Sequence, residues 1–90
     1  MNNMRRKAIS ELSQKAGNIK GEIEELMQGI EDIKGEEEDY KENIPENLQG
    51  GDKYEVAEAA IENLEEAYNS LDDILGTLED VESYLDEATN

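Results

Sequence analysis

Apolar residues between residues 9 and 44 recur in alternating steps of three and four. This alternation is typical of a helix whose apolar stripe occupies positions a and d of a seven-residue repeat, lettered a to g. The stripe consists of Ile9, Leu12, Ala16, Ile19, Ile23, Leu26, Ile30, Ile33, Tyr40 and Ile44. Glu37 interrupts it at an a position, and the pattern predicts a first helix over about residues 4–43.

A second run of the same kind begins at Tyr54, and Glu82 is its polar interruption at a. Its apolar a and d residues are Tyr54, Ala57, Ile61, Leu64, Tyr68, Leu71, Leu75, Leu78 and Leu85. The run predicts a second helix over about residues 53–88.

The segment between the two runs carries turn signals. Pro45 disfavours helical geometry at the residue before it, and Gly50-Gly51 favours a turn. Asp52 followed by Glu55 is similar to a capping box with Asp as the cap. We therefore expect a loop over about residues 44–52.

The charges predict how the helices pair. Lys20, Lys34 and Lys41 lie at e positions of the first helix. The e positions of the second are all acidic: Glu58, Glu65, Asp72, Glu79 and Asp86. Because e positions face each other in an antiparallel pair, the sequence predicts a ladder of opposite charges.

The two helix ends lead to the same arrangement. The cluster Arg5-Arg6-Lys7 is unfavourable at a helix N-terminus, as Asp86-Glu87 is at a C-terminus, and an antiparallel pair would place the clusters side by side. The predicted fold is all-α: one domain over residues 1–90, an antiparallel, coiled-coil-like hairpin of two helices.

A further apolar stripe lies at the g positions of the second helix. It comprises Ala60, Ala67, Ile74 and Val81. A helix with three apolar positions per repeat is typical of bundles, and a two-helix hairpin has little core of its own. We expect this stripe to mediate self-association into a homodimeric four-helix bundle; docking onto a different protein is the competing interpretation.

Composition restricts the chemistry. The chain of 90 residues has a formal charge of −17 and contains neither Cys nor His. Disulfides, thiolate chemistry and histidine catalysis are therefore excluded. Neighbouring carboxylates on a helix point about 100° apart and do not converge on a metal. We expect no enzymatic activity, no cofactor and no metal site.

The sequence contains neither an apolar run long enough for a membrane span nor the apolar core of a signal peptide. We therefore expect a cytoplasmic protein. Direct binding to nucleic acid or to an anionic membrane is not expected, because phosphates would meet a negative surface.

Acidic residues dominate the second helix, and no Lys or Arg follows Lys53. An outward acidic edge outside the predicted ladder comprises Glu62, Glu66, Asp73, Asp80 and Glu87. Such an edge is either a solvated surface or a row of carboxylates that imitates nucleic-acid phosphates. In the second case it would bind the basic groove of a nucleic-acid-binding protein.

The segment EEEDYKENIPENLQGGDKYEVAEAAIENLEEA, together with the basic start, resembles small acidic helical proteins of bacteriophages and prophages. The matching positions are Arg5, Arg6, Lys7, Glu36, Glu37, Tyr40, Asn43, Pro45, Glu46, Leu48 and Gln49. The resemblance implies a protein that acts in a bacterial host cell by binding and blocking a host protein, including defence nucleases. The alternative is a structural or assembly bundle that binds through apolar surface.

Overall fold

The computed structural model describes residues 1–90 as two long helices joined by a short turn. Helix α1 spans Asn3–Glu42, a 3₁₀ turn spans Glu46–Leu48, and helix α2 spans Asp52–Ala88. The helices pack against each other along a rod of 70 × 15 × 13 Å. The predicted helical hairpin is confirmed, and both helices lie within two residues of their predicted bounds.

Helix α1 has a side-chain cap that offsets its basic first turn. The backbone N–H of Arg5 donates a 2.8 Å hydrogen bond to Oδ1 of Asn2, the N-cap residue. At the other end, Lys41 lies in the last turn, where a positive charge interacts favourably with the helix dipole. The helix ends before Pro45, as its sequence predicts.

The start of α2 differs from the predicted capping box. Gly51 is the N-cap residue, and no side chain caps the helix. Asp52 is already the first helical residue, so its carboxylate is not in the capping position. Asp52 and Glu55 instead place negative charge in the first turn, where the helix dipole favours it.

The core between the helices is thin. Only Ala16, Met27 and Ala57 are buried. On α2, the apolar a and d residues face α1 as predicted, and those other than Ala57 are half-buried. A two-helix rod therefore shields its apolar stripe only in part.

Helix α1 is rotated relative to its predicted orientation. Its inward residues lie at positions a and e, among them Ile23, Met27 and Lys34. Its d residues point outward instead: Leu12 is 50%, Ile19 47%, Leu26 54%, Ile33 54% and Tyr40 48% exposed. The e-position lysines Lys20, Lys34 and Lys41 are partly buried, which is possible because a long aliphatic stem can lie along apolar surface while each ammonium group contacts a carboxylate.

Two ion pairs join the helices. Lys41 Nζ lies 3.4 Å from Glu58 Oε1, a predicted e–e pair, and Lys20 Nζ lies 3.2 Å from Glu82 Oε1. The hydrogen bond to Glu82, together with its charge, raises the pKa of Lys20. Glu82, the break in the apolar stripe, is therefore paired by a lysine.

The rest of the predicted ladder is wrong. Lys34 forms ion pairs within α1 instead: its Nζ lies 4.0 Å from Glu31 Oε1 and 3.8 Å from Glu38 Oε1. Four e-position acids of α2 have no ion pair: Glu65, Asp72, Glu79 and Asp86. Three lysines cannot neutralise five carboxylates. Because α1 is rotated, Lys20 contacts Glu82 at position a of α2 and not an acidic residue at position e.

The predicted neighbourhood of the two terminal clusters is also wrong. Residues 1–8 are all exposed, and Arg5, Arg6 and Lys7 form no ion pair. In the register set by the two interhelical pairs, Leu12 lies level with Ala88, so the basic cluster lies beyond the last turn of α2.

Candidate functional site

The acidic residues of α2 occupy one half of the helix surface. They lie at positions b, e and f, with Glu82 at a as the exception: Asp52, Glu55, Glu58, Glu62, Glu65, Glu66, Asp72, Asp73, Glu79, Asp80, Glu82, Asp86 and Glu87. No acidic residue of α2 lies at g or c. We call the carboxylates at b, e and f the acidic face.

The predicted acidic edge lies within this face. Glu62, Glu66, Asp73, Asp80 and Glu87 are all exposed. None of their carboxylates takes part in an ion pair or a side-chain hydrogen bond. The last four lie on the f line, about 10.5 Å apart along the helix, and Glu62 lies on the neighbouring b line. All five are free to accept hydrogen bonds from an incoming group.

The acidic face extends onto α1, which the sequence interpretation missed. A groove between the helices is lined by Glu24 and Glu31 of α1 together with Asp72 of α2. The signal in the sequence is the acidic b line of α1, Glu24, Glu31 and Glu38. The prediction overlooked it because it assigned the e acids of α2 to lysines.

The charge density of the rod approaches that of a nucleic-acid strand. A net charge of −17 over 70 Å corresponds to roughly one net negative charge per 4 Å, close to the spacing of about 3.4 Å between phosphates along one DNA strand. Carboxylates on a stiff helix are held at fixed spacings and accept bidentate hydrogen bonds from arginine. The arrangement suits a row of Lys and Arg side chains.

No group of three or more carboxylates is placed to hold a metal ion. Neither helix contains a stretch apolar enough to cross a lipid bilayer.

An apolar face lies on the other side of the hairpin. Tyr40 at d of α1 lines one shallow groove with Lys53 at g and Val56 at c of α2, which places these lines on the same side. The apolar face comprises Leu12, Ile19, Leu26, Ile33 and Tyr40 of α1 and Ala60, Ala67, Ile74 and Val81 of α2.

The two halves of the apolar face run side by side. The predicted stripe on α2 is only partly covered, with Ile74 46% and Val81 40% exposed. The Lys20–Glu82 and Lys41–Glu58 pairs fix the register. In that register these residues lie level with each other: Ile19 and Val81, Leu26 and Ile74, Ile33 and Ala67.

The hairpin exposes more surface than a compact protein of its mass. It exposes 6774 Å², whereas a compact monomer of 10.1 kDa exposes roughly 5300 Å². A standard protein interface buries about 800 Å² per partner. The excess is large enough to supply one interface of standard size.

The chain has no match among protein-family models, curated proteins or solved structures. Two surfaces of the hairpin are open to contact: the acidic face, whose carboxylates are mostly unpaired, and the apolar face, whose side chains are half exposed.

Proposed function

We propose that this protein binds and inhibits a nucleic-acid-binding protein by occupying its basic groove with the acidic face. The observation that carries the proposal is the unpaired f line of Glu66, Asp73, Asp80 and Glu87. A basic groove attracts such a row through the same long-range field that attracts phosphates.

The biological setting of the proposal comes from the resemblance to phage and prophage proteins. In that setting the partner is a host protein, and a defence nuclease is the candidate with a basic groove. The site of action is then the cytoplasm of the bacterial host. The distinctive turn around Pro45 and Leu48 carries this part of the proposal, and charge carries the rest.

The proposed functional form is a homodimer in which two hairpins make a four-helix bundle. The predicted stripe of Ala60, Ala67, Ile74 and Val81 contributes half of the surface, and the outward d residues of α1 contribute the other half. Burying both would turn a thin two-helix seam into a bundle core, while the acidic face remains outside.

A second candidate function is a structural or assembly role through apolar surface. The half-exposed Leu12, Leu26 and Ile33 favour it, because they offer a foreign helix an apolar surface to pack against. This alternative predicts capture of a partner that depends little on salt, whereas binding through the acidic face predicts capture that high salt weakens strongly.

Capture from bacterial lysate at low and high salt separates the two functions. The test variant combines Glu66→Gln, Asp73→Asn and Asp80→Asn on the acidic face. Its matched control combines Glu25→Gln, Asp32→Asn and Asp39→Asn, which removes the same charge from the exposed c line of α1.

If the partner binds through the acidic face, the test variant should lose the captured partner and the control variant should keep it. High salt should release the partner from the wild-type protein. Equal capture by both variants would mean that the acidic face is only a solvated surface. Capture that persists in high salt would favour the structural role.

A further inference from the structure

We infer that the apolar face is covered by a second copy of this chain in an antiparallel dimer, with the loop end of each hairpin beside the open end of the other. The two-fold axis then crosses the rod at the level of Leu26 and Ile74. The inference rests on the proposed self-association and specifies its geometry, which decides where every charge of the dimer lies.

The surface of α2 around the axis carries no acidic residue, which suits contact with a second copy that is itself strongly negative. The g and c lines of α2 contain no acidic residue, although the helix carries 13 acids elsewhere. The exposed c line consists of Val56, Asn63, Ser70, Thr77 and Tyr84. On α2, this placement of all the acid on the opposite half keeps the second helices of two strongly negative copies from meeting acid to acid.

Symmetry leaves two ways to pack two such faces. A two-fold axis along the rod gives a parallel dimer, in which both loops lie at one end and α1 faces α2 of the other copy. An axis across the rod gives the antiparallel dimer, in which α1 faces α1 and α2 faces α2. Neighbouring helices are antiparallel in both, so helix dipoles do not discriminate between them.

The distribution of charge does discriminate. The loop half, residues 27–73, contains 16 acidic and three basic residues. The open half, residues 1–26 and 74–90, contains nine acidic and five basic ones. The parallel dimer brings the two more acidic halves together. The antiparallel dimer places each beside the half that holds the basic cluster Arg5-Arg6-Lys7.

Individual charges match in the same register. With the axis at Leu26, Lys15 at g lies beside Glu36 at g of the partner subunit. Neither side chain has an ion-pair partner within the hairpin. Arg5-Arg6-Lys7, which lies beyond the last turn of α2, extends past the level of Glu42, the last residue of the partner subunit's α1, toward the turn that contains Glu46. The antiparallel dimer therefore accounts for basic residues that the hairpin leaves unpaired.

The apolar residues also fit this axis. Across α1, Leu26 meets itself, Ile19 meets Ile33, and Leu12 meets Tyr40. Across α2, Ile74 meets itself and Ala67 meets Val81. Large residues thus face each other on α1, while on α2 an alanine faces a valine on either side of Ile74, and the hairpin register keeps Leu26 and Ile74 level.

Cross-linking with a short bismaleimide tests the arrangement, since the chain contains no cysteine of its own. The single-cysteine variants are Leu26→Cys, Ile74→Cys, Ile19→Cys and Ile33→Cys. Glu66→Cys, on the acidic face outside the proposed interface, is the control for random collision. All five positions are exposed, which limits the effect of the substitutions on folding.

The antiparallel dimer predicts that L26C and I74C each cross-link to themselves. It also predicts that I19C cross-links with I33C in a mixture but not with itself. The parallel dimer predicts instead that L26C cross-links with I74C and that neither cross-links alone. That second pattern would overturn the arrangement while leaving self-association intact.

Sedimentation of the same variants before cross-linking separates the two levels of the inference. A single 10.1 kDa species at micromolar concentration would overturn both self-association and its geometry. Neither result bears on capture of a basic partner by the acidic face, so failure here and failure of the proposed inhibitory function are distinguishable.

Discussion

Lys20 Nζ lies 3.2 Å from Glu82 Oε1 and joins two residues that are 62 positions apart in the chain. Each of the two residues supplies the opposite charge for a charged group that lies between the helices. Glu82 interrupts the apolar stripe of α2, and Lys20 occupies an inward e position of α1. The pair turns both polar interruptions into one interhelical contact, which also fixes the antiparallel register.

The Lys20–Glu82 pair should make the hairpin less stable at strongly alkaline pH. The hydrogen bond to Glu82 raises the pKa of Lys20 above its ordinary value of 10.5. The contribution of the pair is therefore complete below pH 10.5 and is lost as the pH rises through the higher folded value. Thermal unfolding of Glu82→Gln should show a lower melting temperature than wild type at pH 8. The difference should shrink at high pH, and a constant difference would contradict this assignment.

Salt should raise the melting temperature. The two interhelical ion pairs are partly exposed and contribute little, whereas the repulsion within a chain of charge −17 is large. Screening therefore removes more repulsion than attraction. Circular dichroism melts from low to high ionic strength check this, and a melting temperature that falls with salt would show that the ion pairs outweigh the repulsion.

Replacing helical glycines by alanine should stabilise the hairpin. A Cβ atom added at any of these glycines meets no atom within 4 Å: Gly17, Gly21, Gly29, Gly35 and Gly76. Each substitution should raise the free energy of unfolding by about 1 kcal/mol, because glycine is the poorer helix former.

Gly51→Ala is the control for the glycine series. Its added Cβ would lie 3.2 Å from the backbone oxygen of Leu48, so no comparable gain is expected. Denaturant unfolding measures both. A destabilising Gly17→Ala or Gly21→Ala would indicate a close contact at these glycines that the single hairpin lacks.

A lysine in the apolar face should disrupt the dimer. Ile74→Lys places a charge at the proposed two-fold axis, where two copies would lie against each other. Sedimentation should show wild type near twice 10.1 kDa and the variant near 10.1 kDa. Glu66→Lys, on the acidic face, is the control and should remain dimeric. Dimers of Ile74→Lys as stable as wild type would place the interface elsewhere.

The helix bounds and the pairing direction were predictable from sequence. Alternating steps of three and four define a helix strongly, and Pro45 ends α1 where steric exclusion requires it. Opposite charges at e positions also indicate the antiparallel direction, although only Lys41 and Glu58 form the predicted pair.

The rotation of α1 was not predictable from the apolar pattern. The repeat allows Ile9, Ile23 and Ile30 at a to pack with either neighbouring line. Position d offers aliphatic residues such as Leu26, and position e offers Met27 and lysines with long aliphatic stems. Packing against α2 decides between the two orientations, and the apolar pattern of α1 alone carries no information about that packing.

The extent of the acidic face was predicted only in part. The f line was identified because its carboxylates point away from any helix partner. Glu65, Asp72 and Glu79 were predicted to pair with lysines. A position in the repeat indicates which way a side chain points, but not whether a lysine lies close enough or whether enough lysines are present.

We propose that the acidic face replaces nucleic acid on a basic partner. Competition between duplex DNA and this protein for the captured partner, at fixed low salt, tests it most directly. Wild type should displace DNA from the partner. The variant with Glu66→Gln, Asp73→Asn and Asp80→Asn should displace it at least tenfold less well, a loss of about 1.4 kcal/mol in binding. The matched variant with Glu25→Gln, Asp32→Asn and Asp39→Asn should act like wild type. Simultaneous binding of DNA and this protein, without displacement, would contradict the claim.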